Sequence, residues 1–182
     1  MAKVTTPRER WVDEGLRALA AGGPQTVRVE ALAKELGVTK GGFYWHFADR
    51  RALLDAMLDA WEQEGVDEPI TQVDAAGGDG RARLHELFAI ALAAADRLPI
   101  ELAIRDWARR DPSVHARVAR VDNRRMDYMR QLFSDFCEDP ADVEARCFLV
   151  FSMFVGQSFV AASHGSRSRA DVVRAALEYV LA

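Results

Sequence analysis

The residues best suited to chemistry lie next to one another in the segment Thr39–Phe47, TKGGFYWHF. Phe43 and Phe47 are four residues apart, so on a helix both point inward to the core. A run of exposed aromatic side chains is costly on a free globule, whereas on a duplex such side chains can contact phosphates, sugars and thymine methyl groups. The spacing therefore predicts a DNA-facing surface with Lys40, Gly41 and Tyr44 at its centre and Gly42, Trp45 and His46 at its flanks.

Two short helices joined by a tight turn would position this surface. The apolar spacing over Val29–Leu36 predicts a helix of barely two turns, which Gly37 ends in a left-handed conformation. We expect the Thr39 hydroxyl to accept a hydrogen bond from a backbone N–H and so to cap the next helix. A short helix, a glycine turn and a second short helix form the geometry that places a recognition helix in the major groove.

Helical patterns cover most of the remaining chain. Residues 65–80 contain four glycines and four acidic side chains and are predicted to form a surface connection. The sequence thus predicts an all-α protein of about nine helices, with a three-helix domain at 1–51, a connecting helix at 50–64 and a helical domain at 65–182. Predicted helices span 7–21, 29–36, 39–47, 50–64, 81–97, 100–110, 113–137, 140–164 and 168–181.

Charge and composition narrow the function classes. The 182-residue chain has a formal net charge of −4, but residues 1–51 hold nine basic and six acidic side chains, which indicates a polyanion-binding region. Cys137 and Cys147 show no metal-ligand spacing, so neither a metal site nor a cofactor is predicted. No apolar stretch suits a membrane span or a secretory signal, so we expect a cytoplasmic protein with no membrane partner. The sequence contains no phosphate-binding loop and no nucleophile paired with a base, so an enzyme is not predicted.

The segment Thr26–Met57, TVRVEALAKELGVTKGGFYWHFADRRALLDAM, resembles the DNA-binding signature of TetR-type repressors. The resemblance implies that Tyr44 and His46 contact phosphates and that Lys40 reaches a base. One position departs from the pattern, because Arg28 stands where a Thr or Ser commonly caps the second helix, and we expect an ionic phosphate contact there instead. The DNA-binding residues implied together are Arg28, Thr39, Lys40, Gly41, Gly42, Tyr44, Trp45, His46 and Arg50, the last in place of a lysine that touches the DNA backbone.

The same resemblance implies a homodimer that reads palindromic double-stranded operator DNA, since two recognition helices must reach successive major grooves. The predicted helix 140–164 is apolar nearly all round, which requires a second covering surface. Its small residues would allow a partner helix to approach closely. The interface candidates on the last two helices are Phe148, Gly156, Phe159, Val160, Val173 and Leu177.

A small-molecule effector of largely apolar character is the third implied partner, and its binding would release the DNA. Long helices that bear aromatic and methionine side chains can enclose an adaptable apolar cavity. Candidate pocket residues are Phe88, Leu92, Ile104, Trp107, Met126, Met129, Phe133, Phe151 and Phe154.

Several alternatives stay open at this point. Each pocket candidate is also a plain core residue by type, Trp45 can pack partly on its own domain, and His46 need not contact DNA. For the whole chain, the alternatives are a helical small-molecule-binding protein without operator function and a DNA-binding activator of the same fold.

Overall fold

The computed structural model of the chain describes residues 6–182, and across that range it contains α-helices and no strand, which confirms the all-α class. Pro7 precedes the first helix, and the side chains of Asp49, Asp139 and Ser168 cap three later ones. The helices are α1 Arg8–Gly22, α2 Val29–Glu35, α3 Lys40–Tyr44, α4 Arg50–Glu62, α5 Glu68–Ala76, α6 Gly80–Ala93, α7 Leu98–Ala108, α8 Pro112–Ser134, α9 Pro140–Gly156 and α10 Arg169–Leu181.

The chain divides into two compact units that do not follow chain order. The first unit comprises the residues up to Glu68 together with Ala94–Val121, and the second comprises Pro69–Ala93 together with Asp122–Ala182. Helix α7 therefore packs with the N-terminal helices, chiefly against α1. The predicted division into a three-helix domain at 1–51, a connecting helix and a helical domain at 65–182 stays a prediction.

Apolar side chains of α1, α4 and α7 form the core of the first unit. Trp11 and Leu19 of α1, Leu53 and Met57 of α4, and Ile104 of α7 are fully buried. A methyl group at Gly15 would lie 2.6 Å from the Met57 sulfur, so the glycine allows α1 and α4 to approach closely.

A buried carboxylate, Glu101 of α7, also belongs to this unit. Its Oε2 accepts a hydrogen bond from Trp61 Nε1 at 2.8 Å, and its Oε1 pairs with Arg105 at 2.7 Å. Burial of a charge is tolerated because both carboxylate oxygens are paired. Sequence analysis did not single out Glu101.

The expected surface connection over 65–80 is wrong for most of its length. Gln63–Asp67 form a π-helical turn, and α5 follows at Glu68–Ala76. Val73 of α5 is fully buried in the core of the second unit, and Asp74 accepts a hydrogen bond from Tyr128 Oη at 2.7 Å. Tertiary contacts thus stabilise a nine-residue helix that is too short to be stable in isolation.

Helix α9 ends at Gly156, eight residues before the expected end at residue 164. A turn follows, with Phe159 N–H donating to the Gly156 carbonyl at 2.9 Å. Residues 160–164 are irregular. Gly156, the last residue of α9, is a poor helix former.

The second unit has a core built from α5, α6, α8, α9 and α10. Leu84, Leu132, Phe133 and Cys147 are buried in it almost completely. Within residues 6–182, no helix is both long and apolar enough to cross a bilayer. The core side chains of this unit are Val73, Leu84, Phe88, Tyr128, Met129, Leu132, Phe133, Val143, Cys147, Val150, Val173, Leu177 and Leu181.

Candidate nucleic-acid interface

The turn between α2 and α3 has the predicted glycine geometry. Gly37 lies in the left-handed region, with φ of 67°, which confirms its role as the terminator of α2. Its N–H donates to the Lys34 carbonyl at 3.1 Å, and Val38 N–H donates to the Ala33 carbonyl at 2.9 Å. These bonds satisfy carbonyl groups at the end of α2 and allow α3 to begin three residues after Gly37.

Thr39 occupies the N-cap of α3 in an extended conformation, but its hydroxyl accepts no hydrogen bond from the helix. The expectation of a side-chain cap is therefore wrong. A backbone bond from Gly42 N–H to the Thr39 carbonyl, at 3.0 Å, closes the first turn instead. The exposed Thr39 hydroxyl is thus not occupied by a capping bond.

An aromatic cluster fixes the orientation of α3. Phe43 and Phe47 are buried as predicted, and their rings stack with centroids 5.2 Å apart. Trp11 of α1 meets Phe43 edge to face at 5.4 Å. Since these contacts hold one side of α3 against the rest of the first unit, the opposite side faces outward.

The outward side carries the two large aromatic residues that the sequence predicted there. Tyr44 is 61% exposed and Trp45 is 82% exposed. Trp45 therefore contributes little to its own domain, which argues against the alternative that it packs there. Lys40 and Gly41 are exposed on the same short helix.

The two glycines of α3 have different surroundings. A methyl group at Gly41 would meet only the Thr39 hydroxyl, at 3.6 Å, whereas one at Gly42 would lie 3.8 Å from the Trp11 ring. Both distances are ordinary van der Waals contacts. Gly41 faces outward and Gly42 faces the domain, so of the two only Gly41 can bring backbone close to a ligand.

His46 is half-buried and holds the segment before α1. Its Nε2 lies 2.8 Å from the Thr6 carbonyl oxygen. A carbonyl only accepts hydrogen bonds, so Nε2 carries the proton and Nδ1 is the ring atom left for another partner. Next to it, the Arg8 guanidinium lies 5.0 Å from the centre of the Phe47 ring.

Arg50 binds protein backbone in this structure. Its Nε donates to the Val27 carbonyl at 2.5 Å, and a terminal nitrogen donates to the Pro24 carbonyl. The side chain therefore joins the start of α4 to the turn that precedes α2. A DNA contact by Arg50, which the resemblance implied, would have to use its remaining N–H groups.

Two charged residues of α2 accompany this surface. Arg28 is the N-cap of α2, exposed and extended, and makes no side-chain capping bond. Glu30 accepts a hydrogen bond from Lys40 Nζ at 2.6 Å. That bond is the main reason why the pKa of Glu30 lies below its usual value. Sequence analysis missed Glu30, and only its spacing of ten residues from Lys40 across the turn could have suggested the pair.

The structure divides the pocket candidates between the two units. Ile104 and Trp107 are buried in the first unit, and the other seven lie in the second. Phe88, Met129 and Phe133 belong to the buried core of the second unit. Partly buried side chains make up the rest, namely Leu92, Met126, Phe151 and Phe154.

The dimer-interface candidates also fall into two groups. Phe148, Phe159 and Val160 are exposed, and a methyl group at Gly156 would meet nothing within 4 Å. Val173 and Leu177 are buried in the core of their own unit, so their burial requires no partner subunit. Within the described part of the chain, no three His, Cys, Asp or Glu side chains come together in a way that could hold a metal ion.

Comparisons with known proteins agree with the helix-turn-helix geometry. A family model described as bacterial regulatory proteins of the tetR family matches residues 12–57, which cover most of α1 and all of α2 and α3. The HTH-type transcriptional regulator SrpR of Pseudomonas putida is 25% identical over 136 residues, which are 72% of this chain and 61% of that protein. The chain thus spans about three fifths of the length of this relative.

Two further likenesses cover a short segment and the whole fold. The class C tetracycline repressor protein of Escherichia coli is 40% identical over 53 residues, which are 29% of this chain and 24% of the repressor. The structure of the ketosteroid transcriptional regulator KstR2 of Mycobacterium tuberculosis superposes with a TM-score of 0.72 at 18% identity. That superposition covers 98% of this chain and 95% of the other, and at this identity it shows a shared fold.

Proposed function

We propose that this chain, which belongs to the TetR family of bacterial regulatory proteins and is a helix-turn-helix transcriptional regulator, acts as a repressor. It binds a palindromic operator as a homodimer, and a small-molecule effector releases it. Its target is chromosomal DNA, so its place of action is the cytoplasm, and it catalyses no reaction.

The observation that carries this proposal is the contrast between the two sides of α3. One side is fixed by the buried pair Phe43 and Phe47, and the other presents Tyr44 and Trp45, with 61% and 82% of their surfaces exposed. A monomeric domain gains nothing from displaying two large aromatic rings beside a lysine. A duplex offers phosphates, sugars and base edges to those groups.

Dimerisation is supported by apolar side chains that the monomer leaves uncovered. Phe148 and Leu149 on α9 and Phe159 just beyond it are each more than half exposed. A second copy of the chain would remove them from water, and the two-fold axis would present two copies of α3 to the two halves of a palindrome.

Effector release is supported by two names among the comparisons, a tetracycline repressor and a ketosteroid regulator. In this chain, half-buried apolar residues of the second unit supply the surface that such a molecule would use. Met126 and Phe151 pack against the core without being fully enclosed by it. A ligand that binds one conformation of the dimer more tightly shifts the population away from the DNA-binding form.

Selection of bound sequences from random duplex DNA tests the operator hypothesis. The expected result is a palindrome whose half-sites lie about one helical turn, roughly 34–36 Å, apart. Lys40→Ala should weaken binding and relax the preference at particular base pairs, at about 1–3 kcal/mol, whereas Tyr44→Phe should weaken binding to all sequences. Recovery of no preferred sequence would contradict the proposal and favour a helical small-molecule-binding protein.

Two further measurements address the finer parts of the proposal. The position of the operator relative to the promoter distinguishes a repressor, which overlaps the polymerase site, from an activator. Titration of operator-bound protein with tetracyclines and steroids should identify a class that releases the DNA. A regulator that no small molecule releases would bind constitutively.

A further inference from the structure

The proposed DNA-binding surface contains a carboxylate beside its best base-reading candidate. Glu30 of α2 and Lys40 of α3 are both exposed, with 63% and 56% of their side chains accessible, and 2.6 Å separates Glu30 Oε1 from Lys40 Nζ. A carboxylate in this place repels DNA phosphates. It therefore lowers affinity unless it contributes something else to recognition.

We propose that Glu30 is a specificity-determining residue, which holds Lys40 away from phosphates and directs it towards base edges. This inference rests on the proposed function, because it concerns how the same surface distinguishes an operator from other DNA. Glu30 acts as a positioning residue through Lys40.

The chemistry of lysine explains why such a device is useful. Its ammonium is a compact point charge on a flexible stem, and it binds any phosphate without regard to sequence. Each phosphate contact releases counterions and strengthens non-specific binding, with a salt slope of about 0.9 per contact. Pairing with Glu30 weakens the contact that Lys40 can make with a phosphate of non-operator DNA.

The pair does not prevent base recognition. An ammonium has three donors, and Glu30 uses one of them, so two can still reach a guanine O6 or N7. An exposed ion pair is also weak, so a well-placed base edge can compete with the carboxylate. A phosphate in the wrong register has to overcome both the pair and the repulsion by Glu30.

The electrostatic surroundings agree with an ionised Glu30. Lys40 makes the hydrogen bond, and Arg28 adds a smaller attraction from the N-cap of α2. Both lower the pKa of the carboxyl group, so the charge is present throughout the physiological range.

Binding measurements on Glu30→Gln test the inference. Wild-type and variant proteins are titrated with the selected operator and with a non-operator duplex of equal length, at several salt concentrations. Glu30→Gln should bind the non-operator duplex about three- to tenfold more tightly, with a salt slope steeper by about 1 for each subunit that contacts the DNA. Operator affinity should change less, so the ratio of the two affinities should fall.

A matched control separates this effect from a change in net charge. Glu35→Gln removes the same charge from an exposed position at the end of the same helix, and the carboxylate that pairs with Lys40 is Glu30. It should leave the ratio of affinities close to that of wild type. In a Lys40→Ala background, Glu30→Gln should lose most of its effect on the salt slope, because the lysine that it releases is gone.

The outcomes distinguish this inference from the proposed function. If wild type prefers its operator but Glu30→Gln behaves like Glu35→Gln, or tightens both duplexes equally, Glu30 has no role in specificity and the proposed function stands. If wild type shows no preference for any duplex, the proposed function fails and this inference fails with it.

Discussion

Neighbouring residues of the short helix α3 face different surroundings, because some pack into the domain and others are exposed to solvent. Phe43 packs inward against Trp11, while Tyr44, the next residue, is mostly exposed. The same division separates the adjacent glycines, since Gly42 faces Trp11 and Gly41 faces solvent. This division makes the role of single residues testable.

Gly41→Ala should stabilise the free protein and weaken DNA binding. The added methyl group has room, and alanine favours a helix over glycine by up to about 1 kcal/mol. On DNA, the methyl group would keep the backbone from approaching the duplex, at a cost on the order of tenfold in affinity. Chemical denaturation and a gel shift give the two values.

Gly42→Ala is the matched control for this change. Its methyl group would contact the Trp11 ring at an ordinary 3.8 Å, so it should stabilise the fold similarly and leave DNA affinity unchanged. Equal losses of affinity in both variants would show that the helix itself, rather than close approach at Gly41, determines binding.

The two cysteines should differ in reactivity for a reason that also lies at the residue scale. Burial raises the pKa of the Cys147 thiol to about 11, so almost no thiolate is present at pH 8. Cys137 is partly exposed. A disulfide reagent should therefore modify one thiol quickly in the native protein and both in denaturant.

Cys137→Ser should abolish the fast phase of that reaction. A raised thiol pKa also links to stability, since the unfolded thiol ionises near pH 8.5. The contribution of the Cys147 thiol to the free energy of unfolding is complete below that pH and is lost as the pH rises through 11. Native-state modification of both thiols at equal rates would contradict the burial of Cys147.

At the scale of elements, the placement of a helix depends on a few positions where a glycine lets it lie close to a neighbouring helix. In the second unit, α6 begins at Gly80, which lies against the end of α8. A methyl group there would lie 2.2 Å from the Leu132 carbonyl oxygen and 2.7 Å from Asp135 Cβ. Backbone atoms cannot move aside as a flexible side chain can, so the helices themselves would have to separate.

Gly80→Ala should accordingly lower the free energy of unfolding by about 1–3 kcal/mol, the usual cost of overpacking. Gly156→Ala is the comparison, because nothing lies within 4 Å of its added methyl group. It should be neutral or slightly stabilising. Denaturant titration of both variants measures the difference, and a neutral Gly80→Ala would show that the contact relaxes without cost.

The same scale explains why α5 was not recognised. Its sequence, EPITQVDAA, has little apolar periodicity, and its stability comes from contacts that other segments supply. Asp74 accepts from Tyr128 and pairs with Arg83, and these bonds hold the pKa of the Asp74 carboxyl below its usual value.

At the scale of the whole molecule, the proposed function depends on the association of two copies of the chain. Phe148 is 64% exposed near the middle of α9, where a charge would be excluded from an apolar interface. Phe148→Glu should therefore shift the protein from dimer to monomer in sedimentation measurements. Operator affinity should decrease by at least roughly 100-fold, because a monomer contacts one half-site only.

Gln131→Glu provides the control for Phe148→Glu. It introduces the same charge at an exposed polar position of α8 and should leave both association and operator binding unchanged. A Phe148→Glu variant that stays dimeric would place the dimer interface on another surface.

The sequence by itself determined the helix-turn-helix. The glycine turn, the inward phenylalanines and the outward Tyr44 and Trp45 depend on residues fewer than ten positions apart. Local backbone preference and helical periodicity act at that distance, so they can be read without knowing the fold. Helix α9 was predicted too long because apolar periodicity does not mark where helix propensity ends.

Only the tertiary structure decided which groups from distant segments meet. Arg50 finds carbonyl groups more than 20 positions earlier, Glu101 receives a hydrogen bond from Trp61, and Glu30 pairs with Lys40 across the turn. Val173 and Leu177 pack into their own unit for the same reason. A side chain's type states what it can bind, but the identity of its partner depends on how the helices pack, which no local pattern contains.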